Sequence, residues 1–173
     1  MSFKFFVLIF VGITSLNSAS AQEESRAKVI AVIDGDTLLL MRTDIVSEPH
    51  LFYKLRLADI DAPEKDQDYG EQAKQALAQM VLHRQVHVTT VATDTYGREI
   101  GWIALEPDTG PALAVNTELV VRGWAWARSR SRSPHLYDAQ QEAQREGRGL
   151  WAALKPIPPW IWRKQKQLQQ SVE

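Results

Sequence analysis

Lys28 to Ile33 and Thr37 to Arg42 are two runs rich in β-branched residues and leucine, and only Asp34-Gly35-Asp36 separates them. An Asp-Gly pair in so short a gap reverses the chain, so the runs form an antiparallel hairpin. From His50 to Ala58 apolar and polar residues alternate, with Arg56 on the polar face, which predicts a third strand after a loop at Thr43 to Pro49. Val86 to Val91 and Glu99 to Leu105 read as a fourth and a fifth strand, joined by the turn Thr93 to Arg98. Between the third and fourth strands the period changes: Ala73, Ala76, Leu77, Met80 and Val81 share one face of a helix spanning Tyr69 to His83. Asn116 is expected to cap a short helix that reaches Arg122 and stops at Gly123. Ser133-Pro134 starts another helix that runs to Glu146, before Gly147 and Gly149. The order is five strands with helices after the third and the fifth.

The first residues have the layout of an export signal. Lys4 forms a short positive region, Phe5 to Ile13 an apolar core too short to span a bilayer, and Ala19-Ser20-Ala21 a small-residue cleavage pattern. Residues 1–21 are therefore set apart as a signal peptide and 22–26 as a short N-terminal segment. Residues 27–154 form the single folded domain, and 155–173 a Pro/Trp-containing C-terminal segment ending in a polar tail. Pro156, Pro158 and Pro159 argue against regular structure there, so the tail is expected to be peripheral. Cysteine is absent, which excludes disulfides and thiolate metal sites, and the 45% apolar composition must supply stability through packing.

A formal net charge of -1 argues against a generic basic nucleic-acid binder, but the average conceals a division. From Gln22 to Val121 there are nine Lys/Arg against seventeen Asp/Glu, whereas Arg122 to Lys166 carries ten against three. The first part can hold a cation and the second can attract phosphate.

Two clusters place charge inside strands that would otherwise be plainly apolar: Asp34-Gly35-Asp36-Thr37, and Arg56 through Asp61-Ala62-Pro63-Glu64. Such charges need a partner or a metal. Asp36 and Asp61, on neighbouring strand ends, suit a hard cation such as Ca²⁺, with a backbone carbonyl, water and substrate oxygens completing the shell. Glu64, restrained by Pro63, can orient or deprotonate a water. Arg56 and Arg98 offer forked donors to phosphate and can neutralise charge that builds during attack at phosphorus. Together they make a phosphodiesterase set. Each cluster alone also has a structural reading: a polar turn for Asp34-Gly35-Asp36, an ion pair for Arg56 with Asp61, and a surface charge for Arg98.

In this order the motifs resemble the thermonuclease, or staphylococcal-nuclease-like, family. The resemblance rests on Ile33-Asp34-Gly35-Asp36-Thr37-Leu38, Leu55-Arg56-Leu57 through Asp61-Ala62-Pro63-Glu64, Tyr69-Gly70, and Asp94-Thr95-Tyr96-Gly97-Arg98. It continues through Asn116-Thr117-Glu118-Leu119-Val120 with Gly123 and through Gly149-Leu150-Trp151, covering about Ala27 to Trp162. It implies a mainly β fold, a five-stranded OB-type barrel carrying three helices, and Ca²⁺-dependent hydrolysis of DNA and RNA that leaves a 3′-phosphate and a 5′-hydroxyl. By motif position it also implies Asp36, Asp61 and the backbone carbonyl of Ala62 as metal ligands, and Arg56, Glu64 and Arg98 as catalytic residues. Tyr96 and Arg128 are candidate substrate contacts, with Asp34 and Thr37 in support. The expected protein is an exported, monomeric nuclease, periplasmic or secreted, without membrane association after signal cleavage.

Three departures from the family pattern stand out. The loop between the second and third strands is longer, alanine stands at position 62 where threonine is common, and Trp124-Ala125-Trp126-Ala127-Arg128 replaces a stretch that often carries tyrosines. Arg128-Ser129-Arg130-Ser131-Arg132 suits either a grip on a nucleic-acid backbone or a solvated loop. Leu150-Trp151 and Trp160 to Trp162 are expected to pin the C-terminal segment to the barrel. His83 and His87 have helical spacing, but the helix should end between them, so they do not form a metal pair. The rival function is a nucleic-acid-binding barrel without catalysis, since a fold does not fix an activity.

Overall fold

The computed structural model describes residues 23–43, 52–106, 110–128 and 133–171. The expected signal peptide, most of the loop at 43–49 and the serine-arginine run 129–132 lie outside the described residues. The elements in chain order are β1 (Glu23–Val32), β2 (Thr37–Arg42), β3 (Phe52–Leu57), β4 (Ile60–Asp61), α1 (Gly70–Val81), β5 (Gln85–Thr93) and β6 (Glu99–Leu105). They continue with β7 (Leu113–Ala114), α2 (Val115–Val121), β8 (Trp126–Ala127), α3 (Pro134–Arg145), a single 3₁₀ turn (Gly149–Ala152) and α4 (Pro159–Gln170).

Strands β3-β2-β1-β5-β6 pair in that order, and β3 also runs parallel to β6 through Leu55↔Glu99 and Leu57↔Gly101. That last pairing closes a five-stranded barrel and leaves no free edge along these strands. Register shifts between Val29 and Ala31 and between Thr90 and Ala92 bend β1 and β5 as closure requires. Alternation along the strands sends Val29, Leu38, Leu40, Leu55, Leu57 and Ile103 inward, where all are buried. Leu77 of α1, Leu119 of α2 and Leu136 of α3 complete the same core.

Two expectations require correction. Asn116 is not a cap: α2 begins one residue earlier, with Ala114 at its N-cap, and Asn116 is wholly buried. Its Oδ1 accepts from Ile103 N (3.1 Å), and its Nδ2 donates to Ala58 O (3.0 Å) and Gly101 O (3.2 Å). The amide thus ties α2 to β6 and to the bend after β3.

The C-terminal segment, expected to be irregular and peripheral, contains a fourth helix where three were expected. Pro159 occupies the first helical turn, where a missing N–H costs nothing, and the Arg, Lys, Gln and Leu that follow are good helix formers. The prolines therefore start a helix rather than prevent one. The tryptophans do pin this segment: Trp126 on β8 meets Trp151 edge-on at 5.1 Å and Trp160 of α4 at 6.5 Å between ring centroids.

Candidate active site

The site begins at the turn between β1 and β2. Asp34 Oδ1 accepts from Asp36 N at 3.0 Å. Gly35 permits the close approach of the next segment, because a Cβ there would lie 2.7 Å from the Ala62 Cβ. Register then sets Thr37 opposite Arg56 across β2 and β3. Beyond β3 the chain bends through Asp59 in the left-handed region (φ 62°), and Asp61 on β4 pairs with Trp126 on β8.

These placements put two buried carboxylates around one guanidinium. Arg56 Nη1 lies 3.0 Å from Asp36 Oδ1 and Nη2 lies 2.9 Å from Asp61 Oδ1. Thr37 Oγ1 donates to Asp36 Oδ1 (3.1 Å) and Ala62 N to Asp36 Oδ2 (3.0 Å). Burial pushes the Asp36 carboxyl up to about 7, even though Arg56 and the Ala62 N–H favour its charged form. Arg56 is also buried, which works against its charge, but Asp36 and Asp61 outweigh that and hold its pKa above the ordinary arginine value.

Glu64 follows Pro63 at the rim. Its backbone is fixed twice by Gln67, whose Oε1 accepts from Glu64 N (3.1 Å) and whose N–H donates to Glu64 O (3.0 Å). Gly70, at the start of α1, packs so tightly beneath it that a Cβ would fall 1.9 Å from Glu64 O. Arg98 arrives from the turn before β6 and is oriented by Asp94, whose Oδ2 accepts from Arg98 Nε at 2.8 Å. The Asp94 carboxyl is partly desolvated, but hydrogen bonds from the Arg98 backbone and side chain more than compensate and lower its pKa. The exposed Tyr96 ring lies 5.8 Å from the Arg98 guanidinium.

A cleft of about 390 Å³ brings together Asp34, Asp36, Arg56, Ala62, Glu64, Tyr96, Arg98 and Arg128. Every side chain expected in the site lines it except Thr37, which bonds to Asp36, and Asp61, which bonds to Arg56 and lines an adjoining opening with Arg128, Trp160 and Arg163. His83 and His87, by contrast, fall on different elements, and His87 pairs with Glu106 at 2.8 Å.

Sequence reasoning missed Arg163. This α4 residue enters the same cleft and contacts both Asp61, through Nη2 to Oδ2 (2.7 Å), and Glu64, through Nη1 to Oε1 (2.5 Å). The hydrogen bonds to Asp61 and Glu64 raise its pKa further despite partial burial. Gln67 was missed too; besides holding Glu64 it donates from Nε2 to Ile157 O (2.5 Å), linking the base of the site to the C-terminal segment. The only available signal was coarse, the excess of basic residues beyond Arg122 facing an acidic first part.

The donor set suits a hard cation: all candidate ligands are oxygens, two of the carboxylates are buried, and one of these is left with its charge poorly compensated. Among the described residues no three acidic or histidine side chains converge on one point. A cation here would therefore take two carboxylates and complete its shell from a carbonyl, water and substrate.

Residues 54–153 match the family model described as staphylococcal nuclease homologue. The chain is 39% identical to Protein ParB of Escherichia coli over 155 residues, covering 86% of this chain and 84% of that protein. It is 33% identical to an uncharacterized endonuclease of Haemophilus influenzae (90% and 83% covered) and 35% identical to a micrococcal nuclease of Shigella flexneri (85% of each). The barrel, the ordered motifs and near full-length similarity agree, and the chain belongs to the staphylococcal nuclease homologue family.

Proposed function

We propose that this protein is an exported, monomeric, Ca²⁺-dependent nuclease that hydrolyses phosphodiester bonds of DNA and RNA and leaves 3′-phosphate ends. The observation that carries the reading is the single cleft in which Arg56 bridges Asp36 and Asp61 while Glu64 and Arg98 face the same space. Relatives named endonuclease and micrococcal nuclease, each aligned over more than four fifths of its length, support it.

Asp36, Asp61 and the Ala62 carbonyl would hold the cation, which supplies positive charge against the phosphate and lowers the cost of deprotonating water. Glu64 takes the proton of the attacking water as the new P–O bond forms. Arg56 and Arg98 donate to the non-bridging oxygens, where charge accumulates in the transition state. The P–O5′ bond breaks, the 5′ oxygen leaves and gains a proton, and phosphate stays on the 3′ side. Tyr96 and Arg128, at the rim, offer an aromatic face and a charge to the neighbouring nucleotides.

Glu64→Gln preserves shape and hydrogen bonding but not basicity. It should keep the fold and much of the binding to single-stranded DNA while turnover falls about a hundredfold or more. Unchanged turnover would remove Glu64 from the reaction.

A further inference from the structure

Arg163 stands where a cation needs free oxygen. Its Nη1 reaches Asp61 Oδ1 (3.2 Å) as well as Glu64, and its Nη2 reaches Asp61 Oδ2 (2.7 Å). Asp61 Oδ1 already receives Arg56 Nη2. Both oxygens of a nearly inaccessible carboxylate are thus engaged by guanidinium groups, and the same side chain also bonds one oxygen, Oε1, of the carboxylate expected to act as base. A calcium ion bonds oxygen at about 2.3–2.6 Å, so one bound to Asp61 would lie against the Arg163 guanidinium, and like charges so close in a partly buried site repel strongly.

The helix that carries Arg163 has anchors of its own. Trp162 Nε1 donates to Asp66 Oδ1 (3.4 Å), Lys166 pairs with Asp66, and Trp160 packs edge-on against Trp126. Arg163 itself keeps 40% of its side chain exposed, so it can leave the carboxylates by rotating into solvent while α4 stays docked.

We propose that Arg163 is a tethered counter-ion: it holds Asp61 and Glu64 in the cation-free protein, and a divalent cation displaces it. It thereby sets the cation concentration at which the site loads. The same displacement frees Glu64 Oε1, the one oxygen of that carboxylate that Arg163 engages. The proposal rests on the reading that Asp61 holds a cation.

Calorimetric titration with Ca²⁺, without nucleic acid, tests this on the wild type, Arg163→Gln and Lys164→Gln. Lys164 is an exposed neighbour on the same helix, and its substitution controls for a general change in charge. Arg163→Gln should bind Ca²⁺ at least about tenfold more tightly than wild type, with Lys164→Gln close to wild type. Without cation, Arg163→Gln should melt below wild type, and saturating Ca²⁺ should close the gap. Equal or weaker binding by Arg163→Gln overturns the proposal, as does an equal gain in Lys164→Gln. If Arg163→Gln does not fold, Arg163→Lys, which loses the fork, should still bind Ca²⁺ more tightly than wild type, and failure to do so is equally decisive. If wild type cuts DNA with Ca²⁺ while Arg163→Gln shows no gain in affinity, this inference falls and the nuclease reading stands. If no protein binds Ca²⁺, both the cation reading and the inference fall.

Discussion

Replacing Asn116 by alanine should be among the most damaging single changes in this domain, although the residue lies outside the cleft. The amide is wholly buried and makes three hydrogen bonds, to Ile103 N, Ala58 O and Gly101 O. Alanine removes the partner that Asn116 gives to the buried Ile103 N–H and to the Ala58 carbonyl, whereas Gly101 O keeps its bond from Ala58 N (2.7 Å). At about 1 kcal/mol net per hydrogen bond, plus the cost of buried groups left unsatisfied, the loss should be about 3–5 kcal/mol. For a domain of this size that corresponds to a melting temperature lower by about 10 °C. Urea unfolding followed by tryptophan fluorescence reads it as a lower midpoint at unchanged slope. Because Ala58 lies between Arg56 and Asp61, surviving folded protein should also show weaker cation binding. A loss below about 1 kcal/mol would mean that the three bonds do not brace the barrel against the site.

Two further predictions concern the site. Gly70→Ala places a methyl group against the Glu64 carbonyl, so it should cost at least about 2 kcal/mol in urea unfolding and reduce turnover by shifting Glu64; a variant with wild-type stability and rate would refute the packing argument. The raised pKa of Asp36 predicts a pH dependence in cation-free protein. The folded state holds the proton up to about 7 whereas the unfolded chain releases it near 3.8, so this group's contribution is fully present below 3.8 and is lost as pH rises through 7. The stability difference between wild type and Asp36→Asn should therefore shift against wild type from acid to neutral pH, and parallel curves would contradict it.

The barrel was legible because its signals are local. β6 runs from Glu99 to Leu105 and β2 from Thr37 to Arg42, as alternation and the Asp-Gly turn required, since a two-residue period survives in any half-buried strand. Strand ends and turns likewise carry Asp36, Arg56, Glu64 and Arg98 to one cleft, with Asp61 bonded to Arg56 beside it. Asn116 was misread since a helix-terminal Asn ordinarily caps, and its actual partners, Ala58 and Gly101, come from distant segments that no local pattern identifies. Arg163 was hidden for the same reason at greater range: its carboxylate partners are about a hundred residues away, beyond prolines that read as a break. Long-range ion pairs leave no periodicity in a sequence.

The central claim is tested most directly by incubating the purified protein with single-stranded DNA and with RNA, first with Ca²⁺ and then with excess chelator, and identifying the ends of any product. Both polymers should be cut when Ca²⁺ is present and left intact once it is chelated, with phosphate on the 3′ ends of the products. Folded protein that binds DNA yet cuts neither polymer with any divalent cation would contradict it and identify the barrel as a binding module.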